Sequence, residues 1–481
     1  MLENKRGSSN SQTNSGWVGP APTPRRRPSK TGSPRLKAHQ KVGVTWLLEA
    51  GHEKALVADE VGLGKTAMVI ETVSRLLQAG ELPHTGRSRL ARVLWLTDAT
   101  LIPQTMAELS RFGPRLAAVK ATRREFESVR WQRALREQYP TGFDVLVMSY
   151  DLAHSRRNFL SPAHSFSMLV LDEAGNLRGG GEQWKTVSAL AKATPRVVGM
   201  TATPMENHPV ELFNVLAAID TPDLWPRGVF EGDFVRWEIK YTDPVTGRQT
   251  RKPEDWASAD HAAQVRDYLG TVMLRRTGKD ARLKLPKNVT EEPVIWVAPH
   301  AEQQEAYDKA ARNRNSARAF HGQQKAGLST GESSAILDKL VELLAERGEQ
   351  QAIVFSEYRD LLTEIGERLD TASITWTVVH GGAKDEKRQE AVDKFTSGAV
   401  RVLVGNVVLE RGLNLQNCNL LISVGSSWNP AREAQREGRI RRAGSQHAEY
   451  EHQTLMPSTQ LSEAQSATLS RKRNRSSVVG L

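Results

Sequence analysis

Short aliphatic runs recur along the chain, separated by longer stretches in which apolar residues fall three or four positions apart. Runs 55–58, 93–97, 144–149, 168–171 and 197–200 are rich in aliphatic or β-branched residues and bounded by polar or turn residues, which predicts strands. Stretches 65–77 and 183–193 carry the helical spacing. Ahead of them Val44, Leu47 and Leu48 recur at helical spacing, with Gly51 as a stop. Short apolar strands alternating with helices predict an α/β fold, a parallel sheet covered on both faces. A second series starts downstream, with strands predicted at 352–355, 374–379, 401–404 and 420–424 and helices at 361–369, 386–395 and 431–442. Two β/α lobes result, with no evident sequence repeat between them.

The remaining segments set the domain limits. Residues 1–34 are rich in Ser, Asn, Gly and Pro and end in a basic run that includes Arg25, Arg26, Arg27 and Lys30, which predicts a disordered basic tail. Between the lobes, residues 221–290 set Trp225, Trp237 and Trp256 among charges and prolines, and a helical or irregular linker or insert is expected there. From residue 457 the chain turns polar and carries Arg471-Lys472-Arg473-Asn474-Arg475, read as a flexible basic tail. Lobe 1 is thus placed at 35–220 and lobe 2 at 291–456. A chain of 481 residues is too long for one compact core, which agrees with this division.

Composition narrows the class. Lys and Arg outnumber Asp and Glu by 66 to 55, a formal net charge of +11, and this balance favours a polyanionic partner, nucleic acid first. Charge alone fits a basic protein without such a partner equally well. Cys418 is the one cysteine, which excludes an internal disulfide and any cysteine-built zinc site, and it reads as a small apolar residue. No apolar run has the length of a membrane span and no signal-peptide core is evident, so work inside a cell is expected: bacterial or phage-infected cytoplasm, or a nucleus in a eukaryote.

Three stretches carry chemistry. In Ala58-Asp59-Glu60-Val61-Gly62-Leu63-Gly64-Lys65-Thr66 an apolar run leads in and a helical pattern leads out. Backbone N–H groups at such a helix start cradle phosphates, Lys65 can reach the terminal phosphates, and the Thr66 hydroxyl can ligate Mg²⁺. Asp59 stands where the general phosphate-loop pattern has its first glycine. The run Leu169-Val170-Leu171 ends in the paired acids Asp172 and Glu173. At a strand end beside a phosphate loop, Asp172 would hold Mg²⁺ and Glu173 would orient or deprotonate the attacking water. Thr201 and Thr203 follow another strand, where they suit either a hydrogen-bond relay between the acid pair and a moving neighbour or a plain strand-ending turn. In Gln435-Arg436-Glu437-Gly438-Arg439-Ile440-Arg441-Arg442, Arg439 and Arg442 share a helix face. Their spacing suits either a charge clamp on a transferring phosphoryl group or a basic face turned to nucleic acid or solvent.

In this order and spacing, the motifs resemble those of the helicase superfamily two, most closely the Swi/Snf-type ATP-dependent DNA translocases. The resemblance also rests on Leu36 to Val44, Asp144 to Tyr150, Gly199 to Asn207, Leu274-Arg275-Arg276-Thr277, Ile353-Val354-Phe355-Ser356, His380-Gly381-Gly382, Glu410-Arg411-Gly412-Leu413-Asn414-Leu415, Ser427-Trp428-Asn429-Pro430 and Ala443-Gly444-Ser445-Gln446. It covers about residues 36–447, and the acidic form of the phosphate loop is typical of that branch. The resemblance implies two RecA-like lobes with ATP in the cleft between them. Gln40 would meet the adenine edge; Gly62, Gly64, Lys65 and Thr66 would hold phosphates and Mg²⁺. Asp172 and Glu173 would carry out hydrolysis, and Gly412, Arg439 and Arg442 would complete the site from lobe 2. Three positions depart from the family pattern: Gly175 replaces a polar residue after Asp-Glu-Ala, Asp98 replaces a proline, and Asn406-Val407 replaces a Ser/Thr-containing pair. The expectation is an ATPase that translocates on double-stranded DNA through backbone contacts and remodels protein–DNA or branched-DNA structures. Specific targeting is expected from the tails, the 221–287 region or a protein partner. A strand-separating helicase on DNA or RNA, or a nucleic-acid-binding scaffold with a failed motor, stays open as an alternative.

Overall fold

The computed structural model describes residues 34–82, 93–121, 123, 144–158, 160, 166–242, 249–313, 315–383, 385–410, 415–427, 430–441 and 445–481. The expected basic tail at 1–34 thus lies almost wholly outside the described residues, as do Gly412 and Arg442 of the expected site.

The strands in chain order are β1 (Lys54–Val57), β2 (Val93–Thr97), β3 (Ala118–Lys120), β4 (Val145–Ser149), β5 (Met168–Asp172), β6 (Arg196–Met200), β7 (Val235–Thr242), β8 (Gln249–Trp256) and β9 (Met273–Leu274). They continue with β10 (Lys287–Asn288), β11 (Val294–Val297), β12 (Ala352–Ser356), β13 (Trp376–Val379), β14 (Val402–Gly405), β15 (Leu420–Val424) and β16 (Glu449–Pro457). The first lobe is a parallel sheet in the order β3-β4-β2-β5-β6-β1-β9. The second is a parallel sheet in the order β10-β16-β15-β12-β14-β13, with β11 also on β16.

Why the strands are apolar throughout is visible in how their side chains divide. Successive residues of a strand point to opposite faces, and in lobe 1 Leu94 and Leu96 enter one core while Val93 and Trp95 enter the other. In lobe 2, Ala352 and Val354 pack on one side of the sheet and Ile353 and Phe355 on the other. Cys418 is buried in the second of these cores, as its reading as a small apolar residue requires, and burial pushes its thiol up to about 12.

Two expectations are corrected. The 221–290 region contains an antiparallel hairpin, β7 with β8, a helix Ala259–Val272, and β9, which pairs with β1. Phe230, Phe234, Trp256, Leu269 and Val272 join the same core as Leu56 and Leu94, so this region is part of the packing of lobe 1. In β7 the residues Val235, Trp237, Ile239 and Tyr241 alternate with the charged Arg236, Glu238 and Lys240, a strand period, whereas the polar sequence of β8 shows none. The expected flexible tail at 457–481 is a helix, Gln460–Ser477, capped by the Thr459 side chain accepting from the Ser462 amide. Its partners are largely polar: Gln465 Nε2 donates to the Ser426 carbonyl at 2.7 Å, Arg473 pairs with Glu433, and Arg475 Nε lies 3.1 Å from Asp255. Tertiary contacts order a segment whose composition reads as solvated.

Candidate active site

Helix α1 (Ala38–Leu48) and helix α2 (Lys65–Ala79) frame the phosphate turn. Gly62 and Gly64 have φ of +89° and +80°, a region in which a side chain is strained, and α2 starts immediately after them. A Cβ on Gly64 would lie 2.3 Å from Gln40 Nε2. Gln40 Nε2 donates to the Leu63 carbonyl at 3.2 Å, and His39 Nε2 lies 2.9 Å from the same oxygen, so α1 braces the turn from below. Lys65 Nζ donates to the Asp59 carbonyl at 2.8 Å; burial lowers its pKa, opposed first by the nearby Glu173 and then by Asp59. Thr66 is half-buried in the first turn of α2.

The two acids of the turn are connectors. Asp59 is fully buried and takes a two-point ion pair from Arg276, Nη2 to Oδ2 at 2.5 Å and Nε to Oδ1 at 3.1 Å. Arg276 Nη1 also donates to the His39 carbonyl at 2.6 Å, so one guanidinium ties the turn after β9 to both α1 and the phosphate turn. Glu60 accepts from the Gly278 amide at 2.7 Å and from Arg441 Nη1 of lobe 2 at 2.5 Å. Sequence reasoning quoted Arg276 and Arg441 only as motif letters. Each stands in a run of basic residues, and the fold shows that Arg276 reaches Asp59 and Arg441 reaches Glu60.

Strands β5, β6 and β1 lie side by side in register, Asp172 beside Met200 and Met200 beside Val57. Their carboxyl ends therefore bring the acid pair, Thr201 and the phosphate turn into one row, where ligands of open α/β sheets bind. Asp172 accepts from Thr97 Oγ1 at 3.4 Å, and its carbonyl accepts from the Tyr150 hydroxyl at 2.9 Å. Burial raises the Asp172 carboxyl from 3.8 to about 7, with Glu173 and Glu108 adding to the shift. Tyr150 is pushed well above its ordinary value by burial and by Asp172 and Glu173. Glu173 has φ +53°, the left-handed region that a non-glycine residue enters only when its surroundings hold it there. Asp98 accepts from Asn176 Nδ2 at 3.1 Å, which ties that carboxylate to the turn after the acid pair.

From lobe 2, the helix Pro430–Ile440 packs directly on the phosphate turn: a Cβ on Gly438 would lie 2.2 Å from a Val61 methyl carbon. Arg439 is buried and its Nε donates to the Gln435 carbonyl at 3.3 Å, and Arg436 stacks 3.4 Å from the centroid of Phe355. The structure thus brings Gln40, Gly62, Gly64, Lys65, Thr66, Asp172 and Glu173 together in lobe 1, with the helix that carries Arg439 against them.

Among the described residues no cluster of three or more His, Cys, Asp or Glu side chains could hold a metal alone. The oxygens of Thr66 and Asp172 suit Mg²⁺, a hard cation that usually keeps water and phosphate oxygens in its shell rather than a full protein cage. A glycine-bearing turn at a helix start, a half-buried lysine and two hard oxygen donors fit a magnesium nucleotide.

Residues 39–347 match the SNF2-related domain and residues 335–444 the helicase conserved C-terminal domain. The chain belongs to the SNF2-related family. Its two domains are those of helicase-like ATP hydrolases. This SNF2-related chain is 26% identical over 449 residues to the chromodomain-helicase-DNA-binding protein 1-like of Mus musculus, a match covering 85% of this chain and 46% of that protein. It is 25% identical over 463 residues to the ATP-dependent helicase YqhH of Bacillus subtilis, covering 87% and 74%. The helicase domain of Pyrococcus furiosus Hef shares the fold, with a TM-score of 0.51 over 90% of this chain and 98% of that one at 14% identity. Among the described residues no helix is long and apolar enough to cross a membrane.

Proposed function

We propose that the chain hydrolyses ATP in the cleft between its lobes and uses the resulting motion to translocate along double-stranded DNA. One observation carries the reading. The carboxyl ends of β5, β6 and β1 set Asp172 and Glu173 in one row with the phosphate turn that leads to Lys65, and the 430–440 helix of lobe 2 rests on the same turn. A nucleotide in that turn would have to meet lobe 2, so the nucleotide state is expected to set the angle between the lobes.

In this reading Gly62, Gly64 and the α2 amides bind phosphates, Lys65 neutralises their charge, Thr66 and Asp172 hold Mg²⁺, and Glu173 orients water and takes its proton. The bound ion supplies charge neutralisation at the phosphates. Gln40 meets the adenine edge, and Arg439, Arg442 and Gly412 close the site from lobe 2. Duplex DNA is the assigned partner because the net charge is +11 and because a related protein bears DNA binding in its name. A cleft of about 580 Å³ between the β7–β8 hairpin and the terminal helix adds support, since Lys240, Lys252, Arg471, Lys472 and Arg475 line it against Glu238 and Glu254. We assign this cleft to phosphate-backbone contact.

The deciding experiment measures ATP turnover with duplex DNA, single-stranded DNA and RNA at low salt. Duplex DNA is expected to stimulate most, and turnover unchanged by duplex DNA would sink the reading. Glu173→Gln is expected to lower turnover by roughly 10²-fold or more while nucleotide binding persists. Triplex displacement without fork unwinding is the expected product assay; efficient fork unwinding would instead favour a strand-separating helicase.

A further inference from the structure

The short turn Ala174–Leu177 leads from the acid pair to Arg178. Gly175 contributes no side chain to this turn, yet the space above it is filled. A Cβ on Gly175 would stand 2.9 Å from Arg178 Nη1 and 2.9 Å from Thr201 Oγ1. The Arg178 guanidinium folds back over the glycine and reaches the segment that follows β6. There Nη1 donates to the Thr203 carbonyl and to Thr203 Oγ1 at 3.3 Å, and Nη2 pairs with Glu206. The Arg178 carbonyl accepts from Asn214 Nδ2 at 2.7 Å, so its backbone is held as well. The side chain is only 19% exposed.

From the same segment the contacts continue toward lobe 2. The Asn207 carbonyl accepts from Arg475 Nη1 on the terminal helix, and that helix is tied to lobe 2 through Arg473 with Glu433 and Gln465 with the Ser426 carbonyl. We propose that Arg178 is a positioning residue that couples Glu173 to the 201–206 segment and through it to the terminal helix, doing from three residues downstream what Gly175 has no side chain to do. The proposal rests on the reading of Glu173 as the hydrolytic base. A guanidinium suits the role because its planar fork engages several oxygens at once, whereas an ammonium acts as a point charge. Glu173 gives such a clamp something to hold. Its left-handed backbone persists only where neighbours over-determine it, and Arg178 grips the turn that follows.

The test compares wild type with Arg178→Ala, Arg178→Lys, Gly175→His and the double variant Gly175→His/Arg178→Ala, each checked for folding by thermal unfolding. The first readout is hydrogen exchange of residues 201–206 with and without a non-hydrolysable ATP analogue. Wild type is expected to gain protection on binding, Arg178→Ala to lose that response, and Arg178→Lys to retain part of it. The second readout is turnover with saturating duplex DNA, expected to fall about tenfold in Arg178→Ala with the ATP KM changed less than twofold. Gly175→His alone collides with Arg178 and is expected to be impaired. In the double variant the imidazole enters the vacated space beside Thr201, and turnover is expected to recover to within about threefold of wild type. Unaltered protection in Arg178→Ala, no protection change in wild type, or a double variant no better than either single one overturns the proposal. Absent DNA stimulation in wild type with the exchange response intact would overturn the DNA reading alone.

Discussion

Asp172 shows how a single position combines a proposed chemical role with a stability cost. Its carboxyl is raised from 3.8 to about 7, by burial first and then by Glu173 and Glu108. Between those values the folded protein holds a proton that the unfolded chain has released, so its contribution to stability falls as pH rises through that window. Thermal unfolding of the nucleotide-free protein should therefore show a declining Tm from about pH 4 to 7, and Asp172→Asn should flatten that slope and unfold at higher temperature at pH 7. A Tm profile unchanged by Asp172→Asn would show that Asp172 titrates normally. In the proposed role as a Mg²⁺ ligand Asp172 acts as the ionised carboxylate, so affinity for Mg²⁺-nucleotide should weaken by up to tenfold per pH unit below about 7. Residues of this kind were readable as types in a pattern: Lys65 and Thr66 open the helix that follows the phosphate turn, and Asp172 and Glu173 close an apolar run. The partners Arg276, Arg441 and Arg178 were not, because an arginine's range spans neighbouring elements and its acceptor is chosen by tertiary contact.

At the scale of elements, strand β8 and the terminal helix show where local pattern fails. Trp256 is buried in the core that also contains Leu56, and its Nε1 donates to the Arg475 carbonyl at 3.3 Å, so it joins hairpin, lobe 1 and terminal helix. Trp256→Ala should cost about 3–5 kcal/mol in urea unfolding, as for other buried large-to-small changes. A cost below about 1 kcal/mol would mean that the hairpin is a loose insert after all. The terminal helix buries Leu469, the chain just beyond it seats Val479 in the core of lobe 1, and Gln465, Arg473 and Arg475 add polar ties. A polar helix docked by hydrogen bonds and ion pairs gives no hydrophobic period to read, and its sequence is indistinguishable from a solvated one.

At the scale of the whole molecule, charge becomes a property of surfaces. The cleft between hairpin and terminal helix collects cations from segments more than two hundred residues apart, and burial, then Lys252 and Arg475, lowers Lys472 against the opposing pull of Glu211 and Glu206. Replacing Lys252 and Arg471 with Gln should reduce the slope of log affinity for duplex DNA against log salt by about 1 to 2, since each phosphate contact contributes roughly 0.9. An unchanged slope would place the DNA elsewhere on the molecule.

The sequence by itself determined the β/α order of both lobes, the phosphate turn and the acid pair. These rest on short-range physics: strands buried on both faces must be apolar, and a helix start that binds phosphate needs glycines with a lysine and a hydroxyl beside them. Tertiary structure alone decided that Asp59 answers to Arg276 and Glu60 to Arg441, that Arg178 covers the bare Gly175, and that the last helix joins the lobes. Those choices depend on which distant segments the sheet order brings within a few ångströms. Long charged side chains leave no periodic trace of that choice along the chain.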